Sequence, residues 1–324
     1  MSDRQRLLAA LADGAVHSRP ELAALLAVPA ARLDADCAAL AAVGLEPERH
    51  GDGWRLAAAL DLIDAARLET LLAAATRSRL GSFACVPVTG STNADLLAAG
   101  PPPPGSWRAL IAEYQSAGRG RRGRHWVAPY ASGLMLSFGW RFAGPATTLA
   151  PLGLAAGVAV LRALAASGVT GVALKWPNDI LLGAGKLGGI LCELRTDESA
   201  AYVVVGIGLN VRLPAAAAGA IAASGGLAPA ALGSAAPDRT RLAARLIDAL
   251  VTVAVEFETQ GFAALREEWL AADALAGQCV RVLTANATQD GIARGIDARG
   301  ALRLEVDGRI DTVVAGDVTL RLAA

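Results

Sequence analysis

Residues 119–124 read Arg-Gly-Arg-Arg-Gly-Arg, four guanidinium groups in six positions with glycines between them. No other stretch constrains the fold as much. Like charges this dense repel one another until an anion neutralises them, so the segment belongs in a loop that is mobile when empty and ordered when filled. Guanidinium forks bind phosphate and carboxylate through paired hydrogen bonds, and glycine lets the backbone approach such a ligand closely. Gly118-x-Gly120-x-x-Gly123 also fits the spacing of a dinucleotide-binding turn. That turn must open an apolar helix, however, and here His125-Trp126-Val127-Ala128-Pro129 follows, where proline stops a helix at once. A solvated basic loop or a nucleic-acid patch would carry the same charge.

A second stretch separates these readings. Val172–Ile180 reads Val-Ala-Leu-Lys-Trp-Pro-Asn-Asp-Ile, and Gly185–Leu191 reads Gly-Lys-Leu-Gly-Gly-Ile-Leu. Lys175 and Lys186 are the only lysines in a chain with 30 basic residues. Where every other basic position is arginine, two lysines this close mark places that need a compact ammonium rather than a planar fork. Lys175, between an apolar strand and Trp-Pro, is the stronger case; Lys186 alone would pass as a surface lysine. Asparagine is equally sparse: Asn93, Asn178 and Asn210 sit in glycine- or turn-rich motifs, with Asn286 the fourth. Gly185-Lys186 is no P-loop, because Leu187 stands where Ser or Thr should hold magnesium.

Gly-Arg-Gly-Arg-Arg-Gly-Arg-x-Trp, Lys-Trp-Pro-Asn-Asp, Lys-Leu-Gly-Gly-Ile-Leu and Gly206-Ile207-Gly208-Leu209-Asn210-Val211 occur here in the order found in biotin–protein ligases. With the flanking domains, the resemblance covers nearly the whole chain. It resembles the bifunctional bacterial form, biotin ligase and biotin-operon repressor in one polypeptide. The resemblance implies ATP and biotin as substrates, Mg²⁺, formation of biotinyl-5′-AMP, and transfer to a lysine of the biotin carboxyl carrier protein of acetyl-CoA carboxylase. It also implies operon DNA as a partner and a homodimer when the adenylate is bound. Carried onto this sequence, Lys175 bridges the biotin carboxylate and α-phosphate, while Arg119 and Arg121 hold the anion and close the loop with Gly120. Ser91, Thr92, Asn93 and Gln115 bind the biotin head group. Arg122, Trp126, Asn178, Asp179, Lys186 and Asn210 fall on the ATP or adenylate side, with Asp179 reaching Mg²⁺–ATP. His125 stands where the family often has lysine, so its role stays open. Biotin-accepting domains present lysine between methionines; the only methionines here are Met1 and Met135. The alternatives are a lipoate-type ligase, a ligase whose DNA domain no longer binds DNA, and a ligand-sensing transcription factor without catalysis.

The rest of the chain fits an α+β multidomain fold. Ser2-x-x-Gln5 and Ser18-x-x-Glu21 are capping boxes that start helices near Asp3 and Arg19. A third helix is expected over Ala30–Val43, ending at Gly44, and a hairpin turns at Gly51-Asp52-Gly53. Residues 1–60 thus read as a winged helix-turn-helix with Ala30–Val43 as the DNA-reading helix; a helical docking domain is the other reading. Asp61–Ala75 is expected to be one amphipathic helix within a linker over 61–80. Residues 81–275 read as a mixed-sheet α/β ligase domain, which the resemblance makes class II synthetase-like. In it, Ser91 or Thr92 caps a helix over Ala94–Ala99. Residues 276–324 read as short strands of an SH3-like barrel.

Hydrophobic residues make up 54% of the chain, but alanine inflates this, and the apolar run Leu149–Leu161 is too short to span a bilayer. Met1–Arg6 lacks the apolar core of a signal peptide, and the four cysteines form no CxxC pair. The expectation is a soluble cytoplasmic protein with no membrane partner.

Overall fold

The computed structural model describes residues 3–143, 146–196, 200–223, 227–284, 287–314 and 316–320. Ser2, Asn286 and the end of the last expected strand lie outside these residues.

Helix α1 (Asp3–Leu11) and strand β1 (His17–Ser18) lead into α2 (Arg19–Leu26). Ser18 caps α2 as the sequence requires: its hydroxyl accepts from Glu21 N while the Glu21 carboxylate takes the Ser18 N–H. The expected third helix is broken into α3 (Leu33–Ala38) between two 3₁₀ turns, Ala30–Arg32 and Ala39–Val43. Asp34 and Asp36 sit in it, and Leu33, Cys37, Leu40 and Val43 run through it and the second turn as one buried face. Gly44 ends the segment at φ 77°, packed against Pro129. Strands β2 (Glu48–His50) and β3 (Gly53–Arg55) form the hairpin, and β1 adds a third strand that the pattern did not announce, in the order β1-β3-β2.

The single connecting helix is corrected to two, α4 (Ala65–Leu71) and α5 (Ala74–Arg77), parted at Leu72, which is extended at ψ 142°. Asp64 caps α4, so the preceding residues 61–63 are free to bind elsewhere.

Next come β4 (Leu80–Thr89), α6 (Thr92–Ala99), β5 (Trp107–Gln115), β6 (Gly133–Ala143), α7 (Leu152–Ala166), β7 (Val172–Lys175), β8 (Asp179–Leu182), β9 (Gly185–Thr196) and β10 (Ala200–Asn210). Helices α8 (Ala215–Ala223), α9 (Arg239–Gln260) and α10 (Ala263–Ala271) follow. The seven strands form one mixed sheet ordered β4-β5-β6-β10-β9-β8-β7, in which only β4 and β5 run parallel. One face packs on α7 and α9, which bury Ala155, Val158, Leu246, Leu250 and Phe257. An aromatic ladder runs along this core through Phe83, Trp107, Phe138, Trp140 and Phe142 to Phe257, with centroids 5.8–6.4 Å apart. Such contacts add about 0.5–1.5 kcal/mol each beyond the area buried.

The C-terminal strands β11 (Cys279–Leu283), β12 (Thr288–Ile296), β13 (Leu302–Val306), β14 (Arg309–Val313) and β15 (Asp317–Leu320) form a separate antiparallel sheet, β14-β13-β12-β11-β15. Its apolar face, including Val280, Val282, Ile296 and Leu304, continues the core of the large sheet. The N-terminal unit keeps its own core, joined to the rest through Tyr130 and Ala131 just beyond the arginine loop. No helix among the described residues is long and apolar enough to cross a membrane.

Candidate active site

The free face of the large sheet carries the polar residues. Parallel pairing places Gln115, the last residue of β5, in register with Thr89, beside the start of α6. Ser91 occupies the N-cap position but its hydroxyl does not cap the helix. The work is done from outside, where Gln115 Oε1 accepts from Thr92 N at 2.8 Å and from Thr92 Oγ1 at 3.0 Å. Ser91, Thr92 and Asn93 are all buried. Ser137 of β6, which no motif singled out, reaches Thr92 Oγ1 at 2.7 Å and Asn93 Oδ1 at 2.5 Å. Asn93 Nδ2 donates to Leu191 O and to Glu193 Oε2 on β9.

Beneath Asn93 the sheet is bare. Gly206 lies opposite Leu191, and a Cβ there would collide with the Asn93 amide. Gly208 lies opposite Gly189 and supports the Trp126 ring, whose Cε2 would stand 2.6 Å from a Cβ at Gly208. The Trp126 indole nitrogen is buried without a hydrogen-bond partner. Glycines 189, 206 and 208 thus form a flat floor on the side of the sheet away from the core.

The arginine loop folds back over this floor as a narrow turn. Trp126 N donates to Gly118 O, Gly120 N donates to Arg124 O, and Arg122 and Gly123 take left-handed φ of 56° and 73°. Arg119 is ion-paired to Glu193 at 2.9 Å and Arg121 donates to Asn178 Oδ1 at 3.3 Å. A cavity of about 680 Å³ opens beside the loop. It lies where β8 stops pairing with β9 at Gly189 and Asn178 caps Ile190 through both its backbone groups, with residues 191–193 of β9 beyond. The loop 119–125 lines it on one side, with residues 176–178 and Gly300 of the C-terminal sheet on the other. Trp176 Nε1 donates to Gly300 O, tying the two domains at its rim.

Both lysines converge on Asp179. Lys175 Nζ is 3.2 Å from Oδ2 and Lys186 Nζ is 2.5 Å from Oδ1. Burial would push the Asp179 carboxyl up, but the Lys186 and Lys175 ammoniums overcome it and hold the group below its ordinary range. Lys175 belongs to β7, the outermost strand of the sheet. The Lys186 ammonium is nearer the floor, 3.6 Å from where a Gly189 Cβ would be. Of the sequence-predicted residues, Arg119–Arg122 and Asn178 line the cavity, whereas Ser91–Asn93, Gln115, Trp126, Lys175, Asp179, Lys186 and Asn210 lie outside its lining; the Asn210 amide nitrogen holds Lys186 O and Ala230 O and tethers the strand carrying Lys186. Arg122 and His125 line the cavity on the loop's exposed side.

Residues 86–210 match the model of the Biotin/lipoate A/B protein ligase family, and residues 276–321 match the Biotin protein ligase C terminal domain. The chain is 35% identical over 322 residues to the bifunctional ligase/repressor BirA of Salmonella typhimurium, covering 98% of this chain and 97% of that one. The chain belongs to the biotin protein ligase family. A biotin--[acetyl-CoA-carboxylase] ligase of Mycobacterium tuberculosis is 42% identical over 238 residues, 71% of this chain and 85% of its own. Among solved structures, a biotin protein ligase from Aquifex aeolicus in complex with biotin and ATP superposes with a TM-score of 0.61 at 23% identity, covering 75% of this chain and 99% of that one. This biotin protein ligase family member is therefore a ligase enzyme with a class II synthetase-like central domain and a C-terminal β domain.

Proposed function

We propose that the protein joins biotin to ATP and then to a carrier lysine on the floor formed by Gly189, Gly206 and Gly208. The observation that carries this is convergence: the Ser91–Asn93 and Gln115 hydrogen-bonding group, the arginine loop and the two lysines meet over one glycine-floored strip of sheet. Buried amides and hydroxyls suit a ureido group, and the glycines let the Asn93 amide and the Trp126 ring lie directly on the strands beside it. In the first step a biotin carboxylate oxygen attacks the α-phosphorus of ATP and pyrophosphate leaves. In the second, the ε-amine of a lysine on the biotin carboxyl carrier protein attacks the mixed anhydride, forming an amide and releasing AMP. Neither step needs a protein nucleophile; both need charge neutralised where it develops.

Lys186, standing over Gly189, is assigned the bridge between carboxylate and α-phosphate that the sequence placed on Lys175. Lys175 supports it across Asp179. Arg119, keeping Glu193 on Nη2, and Arg121, turning from Asn178, meet the ligand anion, with Gly120 allowing the approach, and Arg122, Trp126 and Asn178 cover the adenylate. Asp179 does not fit a Mg²⁺ site, because both of its oxygens are engaged by ammonium groups. No group of three or more acidic, histidine or cysteine side chains among the described residues is placed to hold a metal ion. Mg²⁺ would be held by the phosphates of ATP, where it would offset their charge.

The domain limits proposed are 1–60, 61–80, 81–275 and 276–324, with residues 1–60 a winged helix-turn-helix and the last an SH3-like barrel. The order β1-β3-β2 beside three helical segments supports the first. Exchange of radiolabelled pyrophosphate into ATP tests the function. Exchange that requires biotin is expected; exchange with lipoate instead, or none, would overturn the reading.

A further inference from the structure

We propose that Ser137 and Glu193 are positioning residues that couple the head-group pocket to the arginine loop, so that filling the one closes the other. The inference rests on the ligase reading above. It starts from an unbroken chain of side-chain hydrogen bonds. Gln115 accepts from Thr92, Ser137 stands between Thr92 and Asn93, Asn93 donates to Glu193, and Glu193 holds Arg119. Gln115 and Arg119 also share the segment that leaves β5, four residues apart, and Ser137 and Glu193 supply the side-chain route between them.

The chain is short of protons at its buried end. Two hydroxyl hydrogens, on Thr92 and Ser137, serve three acceptors: Gln115 Oε1, Asn93 Oδ1 and Thr92 Oγ1 itself. If Ser137 donates to Asn93, the contact between Ser137 and Thr92 needs the Thr92 proton, and Gln115 Oε1 keeps the Thr92 N–H as its one donor in the chain. A bound ring bearing N–H groups supplies the missing donor, and the hydroxyls settle into one arrangement. Ser137 is fully buried and Asn93 nearly so, so water does not relieve the shortage cheaply. A fixed Asn93 amide in turn fixes Glu193 Oε2, the oxygen that Arg119 shares. Gly206 leaves the Asn93 side chain its room, since a Cβ there would displace it.

A double-mutant cycle in the full-length protein tests this, using Ser137→Ala, Glu193→Gln and the pair. The readouts are KM for biotin and for ATP in pyrophosphate exchange, and tryptic cleavage at Arg119–Arg124 with and without biotin. Each single variant is expected to raise the biotin KM about tenfold with the ATP KM nearly unchanged, the size of one buried hydrogen bond to a charged or fixed partner. Because both sit in one chain, the pair should cost no more than the larger single effect, instead of multiplying. In Ser137→Ala, biotin should no longer slow cleavage of the loop. Multiplying effects, biotin and ATP KM values that rise together with a lowered Tm, or wild-type protection of the loop in Ser137→Ala would each overturn the coupling. Glu193 is partly exposed, so its variant keeps the test open even where Ser137→Ala folds poorly. Absence of biotin-dependent exchange in the wild-type protein would instead overturn the ligase reading itself.

Discussion

The lysines show what single residues disclosed. Their rarity in an arginine-rich chain drew attention to Lys175 and Lys186, and the structure brings both to one carboxylate. Sequence could not rank them, because rank depends on which strand is central and which is the edge. Nor could it find Ser137 or Glu193, ordinary residues on ordinary strands that matter only through what they face. The glycines of β10 were a usable signal: two at i and i+2 within an apolar strand leave one face bare, where a ligand or another chain comes close. Lys186→Arg is expected to lower biotin-dependent pyrophosphate exchange about a hundredfold, the scale of losing one fixed charge donor. Lys175→Arg should lose less, since its ammonium lies behind Asp179, and the reverse order would return the bridging role to Lys175. The same trio sets a pH response. A carboxyl held below its unfolded value of about 3.9 stabilises the fold above that pH and ceases to do so as pH falls through the folded value. Asp179→Asn should therefore destabilise the protein at pH 7, and urea midpoints of variant and wild type should draw together below about pH 4.

Elements were legible where period and caps agreed. The capping box at Ser18, the Asp238 cap of α9 and the strands bounded by Asp-Gly and Arg-Gly turns lie where local rules put them. The linker failed because one buried arginine outweighs helix propensity. Arg239, fully buried, donates to Gly133 O, to Asp61 O and to Glu113 Oε2, while Glu113 Oε1 accepts from Ile63 N. Those contacts hold residues 61–63 extended against the sheet, so the helix starts only at Ala65. Glu113 lies two residues before Gln115, so the same ion pair braces the strand that delivers the arginine loop. Arg239→Met should cost about 3–5 kcal/mol in denaturant unfolding, because it leaves the Glu113 carboxylate buried without its partner. Replacing both, as Glu113→Leu with Arg239→Met, should cost less than the single change. The loop itself is expected to be cut by trypsin in the free enzyme and protected by biotin with ATP, whose anions neutralise the crowded arginines. Equal cleavage rates with and without ligands would rule out closure.

At the scale of the whole molecule the open matter is the N-terminal unit, and its charges decide what to expect. Residues 1–60 hold six arginines against eight carboxylates, whereas DNA binding draws on a surface that neutralises phosphates. The structure adds that five of the six are already engaged. Arg6 pairs with Asp3, Arg19 with Asp34, Arg32 with Asp36, and Arg55 with Glu48, while Arg49 lies over the Trp54 ring. Two of the pairs use the acids of α3, the segment that would face the groove. At four of the arginines a phosphate contact must displace a carboxylate, and the gain from releasing counterions shrinks accordingly. The unit is also fastened to the catalytic domain close to the site: Tyr130 N donates to Val43 O, four residues beyond Trp126. That attachment gives loop closure a route to the N-terminal unit without giving the unit charge of its own. We expect DNA binding to be weak, to require adenylate-loaded dimers, and to depend shallowly on salt, with a log–log slope gentler than about −3 where six phosphate contacts would give about −5. Titrating adenylate-loaded protein onto biotin-operon DNA at several salt concentrations measures it. Charge removal offers the converse: Asp34→Asn with Asp36→Asn should tighten binding and steepen the slope by freeing Arg19 and leaving Arg32 only its longer contact with Asp3. Tight, steeply salt-dependent binding by the unaltered protein would show that the arginines leave their carboxylates at little cost.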